Sequence, residues 1–485
     1  MMKRSIRHGA LAGLLALAAA LPAQALTLLV TADMHGWLEP AKDGDAYVGG
    51  AAEMLAAWRQ QEHLQEGDAL ILSCGDDYTG PAISTYFKGD SVTDAMNGMG
   101  YDASALGNHE FDFGVPKLME LALASRFPFL ACNLTRTAAT APALPVQTFK
   151  LFKVQGVKVA VIGLTLRQLA GLADAEGWDG TDYAVALRQW VPLARAQGAQ
   201  AVVVIGHVPY RDLMAAAESV KDLGVPVFFG GHSHETSLGR APGGAWVVNP
   251  GCWWRSYARV DLDVDGDKAR VLSARLVDLR GPQADAKTRA QLNLPHWQKR
   301  LAGVAGPVLG YSAAGLPRRW ALSNMITDAW LAADPGADVA VCNFHGIRQD
   351  LPAGPVNNLQ LLSVLPFEDK LVAFTLTGRD LLSFLGPADR PFEQRSGESL
   401  VTGGLKAQGA DWVLAKTGRK LDPAATYRMV STDYLGDHDP ALQGRPQLAL
   451  RPSWRDPIVD YLRAHPSSEA RPLEGQVDAA ARAAE

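Results

Sequence analysis

An α/β protein in two unequal parts is what this chain predicts. From Leu26 onward, short apolar runs close on a glycine beside a polar residue and hand over to stretches of helical spacing, the alternation that builds strand layers covered by helices. Of 485 residues, a 25-residue leader leaves 460, too many for one core and enough for two domains. Hydrophobic residues at 48%, charged ones at 20% and no low-complexity run place the chain among globular proteins.

The leader comes first. Lys3, Arg4 and Arg7 precede an apolar run from Leu11 to Leu21, and Ala23-Gln24-Ala25 is a small-x-small cleavage site, so the mature chain is expected to begin at Leu26. The run falls far short of the ~20 residues that a membrane span needs, no cysteine lies beside the site to carry a lipid, and no apolar tail closes the chain. A periplasmic or secreted protein without a membrane partner is expected. Removing three leader cations from a formal charge of −5 leaves −8, which argues against a general basic face for nucleic-acid duplexes. Four cysteines make no disulfide framework in so large an exported protein; buried free thiols are expected, with one bridge left open.

The strands then follow in order, each with its polar exit. Leu26 to Ala32 ends in Asp33-Met34-His35-Gly36, and a helix is expected from Gly50 to Gln65. Ala69 to Ser73 ends at Gly75-Asp76-Asp77, and a helix around Val92 to Met99 leads to the run before Gly107-Asn108-His109-Glu110-Phe111-Asp112. Later runs are Lys158 to Leu164, Ala201 to Ile205 before Gly206-His207, and Val225 to Phe229 before Gly230-Gly231-His232-Ser233-His234. Ala245 to Asn249 and Tyr257 to Val264 read as further strands.

Strand carboxyl ends gather on one edge of an α/β sheet, so Asp33, His35, Asp76, Asn108, His207, His232 and His234 are expected to converge. Singly, each has a plain explanation as a helix cap or a hydrogen-bonded core histidine. Together, with Asp76 as the natural bridge, seven groups make two four-ligand sites for divalent metal ions. Imidazole and oxygen donors without thiolate favour Mn, Zn, Co or Fe over Ca or Mg. Such a pair acidifies water to a bridging hydroxide that attacks a phosphoryl group. His109 is left over, three residues from Asp112; it is cast as the acid for the leaving oxygen, with Asp112 holding it.

Asp-x-His, Gly-Asp, Gly-Asn-His-Glu-Phe-Asp, Gly-His and Gly-Gly-His-x-His, in this order, resemble the calcineurin-like metallophosphoesterases, and the trailing Phe-Asp resembles their 5'-nucleotidase branch. The resemblance implies a four-layer α/β/β/α sandwich from Leu26 to about Asp278, followed by a C-terminal α/β substrate domain. It implies one metal on Asp33, His35, Asp76 and His234 and a second on Asp76, Asn108, His207 and His232. Asp77 is no ligand in that pattern and is read as a solvated or supporting acid.

Residues 279–308 read as a polar connector with helical spacing in places. Beyond it come an amphipathic helix, Ser323 to Trp330, and a strand, Ala337 to Cys342, ending at Asn343-Phe344-His345-Gly346-Ile347-Arg348. By resemblance, residues 309–465 form the substrate domain and Arg348 grips the anionic end of the substrate, which suits its planar fork. Asn343, Phe344, Tyr434 and Asp439 complete the expected substrate contacts, Tyr434 as one ring of a nucleoside sandwich. The second ring is expected in the loop Gln394 to Leu400, where Ser399 stands instead, and Phe344 and His345 replace two glycines of the family pattern. Residues 466–485 read as a frayed tail.

The leading expectation is an exported dinuclear-metal phosphohydrolase of nucleoside 5'-monophosphates or related nucleotides. The altered pocket keeps a 2',3'-cyclic nucleotide phosphodiesterase open, and also a thiosulfohydrolase that acts on a cysteine conjugate of a carrier protein. A non-catalytic periplasmic binding protein is the alternative of another class; the complete ligand set argues against it.

Overall fold

The computed structural model describes residues 26–65, 67–390 and 399–482. The expected leader and residues 394–398 of the expected pocket loop lie outside the described residues.

Two facing sheets carry the N-terminal half. In the first, β1 (Leu26–Thr31), β2 (Ala69–Ser73) and β3 (Ala103–Ala105) run parallel. In the second, β4 (Val157–Leu164), β5 (Ala201–Gly206), β6 (Val227–Phe229) and β7 (Trp246–Pro250) run parallel. Antiparallel β8 (Ser256–Asp265) and β9 (Lys268–Asp278) finish the first sheet beyond β1.

Period-two alternation explains the layering. Leu28 and Val30 of β1, Leu70 and Leu72 of β2, and Val203 and Ile205 of β5 meet in one core between the sheets. Leu29 and Ile71 face the other way, against α1 (Ala51–Gln61) and α2 (Asp90–Met99). Val202 and Val204 face α3 (Tyr183–Ala196) and α4 (Tyr210–Ser219). With apolar side chains on both faces, each strand is a continuous apolar run, and a one-residue slip would exchange its two cores. The result is the expected α/β/β/α sandwich.

Three expectations need correcting. The connector is not a bare linker: α5 (Ala286–Gln291) and α6 (Leu294–Ala302) pack on the N-terminal domain. Leu292, Leu294 and Trp297 enter its helix-side core, and Trp297 Nε1–H donates to Asp94 Oδ2 at 3.0 Å. The helix expected to be amphipathic, α7 (Ser323–Ala333), is buried on its polar face as well. What covers it is the segment expected to be frayed. Asn324 Nδ2–H donates to the carbonyls of Asp478 and Ala480 at 2.8 and 2.9 Å, and Arg482 grips Asp328 at 2.8 and 2.7 Å. Composition hid the docking because Ala, Glu and Arg are also what a solvated end contains.

The C-terminal domain has a five-stranded mixed sheet with β10 (Val339–Asn343) beside β13 (Thr426–Thr432), flanked by β11 (Leu371–Thr377) and β12 (Leu400–Gly403). It touches the catalytic domain through α8 (Asn358–Val364), whose Ser363 Oγ accepts Ala82 N–H at 2.8 Å. All four cysteines are free thiols, and Cys252 is the one that is not fully buried. Among the described residues no helix is long and apolar enough to cross a membrane.

Candidate metal centre

The seven ligand-type residues leave the carboxyl ends of five strands, but not of one sheet. Asp33, His35, Asp76 and Asn108 follow β1, β2 and β3; His207, His232 and His234 follow β5 and β6 of the facing sheet. The expectation of one sheet edge is corrected accordingly: the groups meet across the sandwich. Asp33, His35, Asp76, His232 and His234 all have φ between 44° and 69°, a left-handed backbone that L-residues avoid. Gly107 makes the close approach possible, since a Cβ there would lie 2.2 Å from Asp76 Oδ1.

Three groups of candidate ligand atoms, each within 4.8 Å of one another, overlap here: Asp33, His35 and His234; Asp76, His207 and His232; and His35, Asp76 and His109. The imidazoles are held from behind. His35 Nδ1–H donates to the Thr79 carbonyl at 2.9 Å and His207 Nδ1–H to that of Cys74 at 3.0 Å, so both Nε2 lone pairs face the cage. There they meet other acceptors. His35 Nε2 lies 3.0 Å from His234 Nε2, and His207 Nε2 lies 2.9 Å from Asp76 Oδ2. Asn108 Oδ1 is buried with no hydrogen-bond partner. Acceptors turned on one another need a positive charge between them, and the donor set fits divalent cations.

Electrostatics agree. Burial pushes Asp33 up to about 7. Burial also opposes ionisation of Asp76, yet His207 and His109 overcome it and hold that carboxyl well below its usual range. Burial disfavours the charged form of His207, but Asp76 outweighs it and raises the imidazole to about 10. The pull of Asp76 on a positive charge at His207 marks where the cage calls for a cation. His232 and His234, lowered by burial to about 4 and about 3, stay neutral as ligands must.

His109 Nδ1 and Asp112 Oδ2 are 2.7 Å apart, and His109 Nε2 lies 4.0 Å from Asp76 Oδ2. Glu110, given no role from sequence, is fully buried and accepts three backbone N–H groups: Gly107 at 2.6 Å, Asp76 at 3.0 Å and Asp77 at 2.7 Å. It ties the β2 and β3 exits together; its place inside the Asn-His-Glu run was the available signal. Asp77 is not solvated. It is fully buried between Ser73 Oγ at 2.6 Å and Ser104 Oγ at 2.7 Å. The Trp253-Trp254-Arg255 stretch divides: Trp254 is core, donating to Tyr101 Oη at 3.0 Å, while Trp253 sits edge-on to His234 with ring centroids 5.7 Å apart.

From the C-terminal domain, Arg348 reaches the centre, with Nη2 3.2 Å from His35 Nε2. Phe367 lies flat on His109, ring centroids 5.5 Å apart at 21°. A cavity of ≈ 500 Å³ in the C-terminal domain is lined by Arg318, Arg319, Phe344, His345, Asp350 and Ser399, with the Arg318 guanidinium 4.6 Å from the Phe344 ring; Arg348 Nη1 donates to the carbonyl of its lining residue His345 at 3.4 Å. Asn343 closes β10, next to Gly346. Tyr434 stacks on His438 at 4.5 Å, and Asp439 accepts Ala441 N–H at 2.8 Å; neither is among the described residues lining that cavity.

Two family models match the chain: calcineurin-like phosphoesterase over residues 26–236, and the 5'-nucleotidase C-terminal domain over residues 313–442. The chain belongs to the calcineurin-like phosphoesterases of the 5'-nucleotidase type. Members of this family are metal-dependent hydrolases, and several resemble this phosphoesterase over most of its length. It is 26% identical to a 5'-nucleotidase of Vibrio vulnificus, over 87% of each chain. It is 24% identical to endonuclease YhcR of Bacillus subtilis over 84% of its own residues, but spans only 37% of that longer protein. A 5'-nucleotidase precursor from Thermus thermophilus shares the fold at a TM-score of 0.81 and 23% identity, covering 94% of this chain and 98% of the other.

Proposed function

We propose that this phosphoesterase is an exported phosphohydrolase that cleaves nucleoside 5'-monophosphates or related nucleotides and works with two divalent cations. Asp33, His35, Asp76 and His234 would hold one, and Asp76, Asn108, His207 and His232 the other. The observation that carries the reading is the cage itself, where buried acceptors crowd one another: Asn108 Oδ1 is orphaned, and His35 Nε2 lies 3.0 Å from His234 Nε2. Bound cations supply Lewis acidity toward a phosphoryl oxygen and make water a stronger acid.

The chain's own groups do the rest. Arg348 attracts and orients the phosphate with a delocalised charge. Asp112 holds the Nδ1 proton of His109, leaving Nε2 to carry the proton that the departing alcohol oxygen needs. Burial disfavours the charged form of His109, but Asp112 and Asp76 outweigh it and raise the imidazole pKa. Phe344, Arg318 and the cavity they line are the candidate cradle for the organic part of the ester.

Metal analysis of the mature protein and a substrate panel spanning mononucleotides, cyclic nucleotides and thiosulfonate conjugates test the proposal. Two metals per chain and phosphate release from mononucleotides are expected. Hydrolysis of thiosulfonate conjugates alone would move the assignment to that chemistry. His109→Ala should slow nucleotide turnover by roughly a hundredfold or more with metal still bound; full activity would sink its assigned role.

A further inference from the structure

One contact between the two domains has no part in that reading. The ring of Phe367 lies on the imidazole of His109, 5.5 Å between centroids and 21° from parallel. Phe367 belongs to the C-terminal domain and is itself firmly held. Trp454 packs against it at 6.4 Å, and Trp454 Nε1–H donates to the Phe367 carbonyl at 3.0 Å. Arg455 Nη1 donates to the carbonyls of Leu365 and Phe367 at 2.7 and 2.6 Å. The Arg348 guanidinium lies 5.7 Å from the same ring. An aromatic plane that is only partly buried is thus clamped by its backbone and set against a group of the other domain.

We propose that Phe367 is a positioning residue that fixes the plane of His109, so that proton delivery to the leaving oxygen depends on the C-terminal domain. A hydrogen bond at Nδ1 holds one atom of the imidazole, and the edge-on ring of His35, 5.1 Å away between centroids, limits its swing without setting its plane. A flat partner on one face removes the remaining freedom, and Nε2 keeps a single direction. In the step concerned, water releases one proton to solvent as its oxygen joins phosphorus, and the bond from phosphorus to the alcohol oxygen breaks. The electron pair stays on that oxygen, and the His109 Nε2 proton neutralises it. The inference rests on the reading of His109 as that proton donor.

The test is leaving-group dependence in the metal-loaded protein. A nucleoside monophosphate releases a poor leaving group that needs the proton; p-nitrophenyl phosphate releases one that does not. Phe367→Leu should lower kcat on AMP about tenfold and on p-nitrophenyl phosphate no more than about twofold. Phe367→Tyr keeps the ring and should restore most of the AMP rate, and Phe367→Met serves if the leucine variant does not fold. In a His109→Ala background, Phe367→Leu should add no further loss, because a residue acting through His109 has nothing left to act on. Equal losses on both substrates, no loss on AMP, or a further loss in the His109→Ala background would each overturn the inference. If His109→Ala shows no bias against the alkyl ester, the reading of His109 fails and the inference with it. A biased His109→Ala beside an unbiased Phe367→Leu overturns the inference alone.

Discussion

Replacing Glu110 by Gln changes one atom in the tie between the β2 and β3 exits. The carboxylate accepts Gly107 and Asp76 N–H on Oε2 and Asp77 N–H on Oε1. An amide has one acceptor oxygen and one NH2 donor, so it can keep the first two bonds and turn its NH2 on the Asp77 N–H; the reverse flip strands two groups and is worse. Losing a charge-assisted bond and leaving one buried N–H against a donor costs about 2–3 kcal/mol. Relief works the other way, since burial and the neighbouring Asp77 and Asp76 push the Glu110 carboxyl well above its usual range. Bound cations would cancel much of that repulsion, so a net loss of about 2 kcal/mol is expected in the loaded protein, or roughly 4–8 °C for a domain of this size. Calorimetry of the metal-loaded variant, with metal counted in the same sample, reads both. An unchanged or higher transition temperature with full metal content would refute the account of Glu110 as an ionised acceptor of three N–H groups.

Other perturbations have equally definite outcomes. Asn108→Ala removes the orphaned oxygen and should weaken one of two metals at least about tenfold, so that stoichiometry after dialysis falls toward one per chain; two retained metals would contradict it. Asp369, partly buried at the domain junction, has its pKa raised to about 7 by burial, then by Asp433 and Asp112. The unfolded chain releases that proton near its ordinary value of 3.8, so between there and 7 the folded state binds more protons, and stability falls as pH rises through that window. Asp369→Asn should therefore raise the melting temperature at about pH 8 and leave it unchanged near pH 4; an equal gain at both would be inconsistent with ionisation as the cause. Arg482→Ala removes the fork on Asp328 and should destabilise the C-terminal domain by about 2 kcal/mol in urea titration, where no change would mean that the closing segment is dispensable.

What could be read in advance follows from where physics is local. A strand that ends in glycine beside Asp, Asn or His announces itself within a few residues, which is why Asp33, Asp76, Asn108, His207 and His232 stood out. The His109–Asp112 pairing was legible for the same reason, because three residues of separation suffice to bring the two groups together. Sheet membership was not: β1 and β5 are both continuous apolar runs, and nothing in their composition assigns them to different layers. Asp77 was left between a solvated and a supporting acid because its partners, Ser73 and Ser104, are ordinary residues on neighbouring strands. The sequence assigned Phe367 no role of its own; what singles it out is a contact with His109, 258 positions away. The end of the chain misled for a related reason, since the polar groups that receive it sit on a helix face that any periodicity would call exposed.

The packing of α5 and α6 has a practical consequence for anyone who wants to separate the two halves. Truncation after Asp278, where the last strand of the first sheet stops, would uncover Leu292's and Trp297's seats on α1 and α2 and leave a sticky, failing fragment. Truncation after Gly303 keeps both helices as a lid on that face. The fragment ending at Gly303 would then carry the candidate metal cage and lack Arg348 and Phe367, which reach it from the other half, so metal loading and turnover could be measured apart.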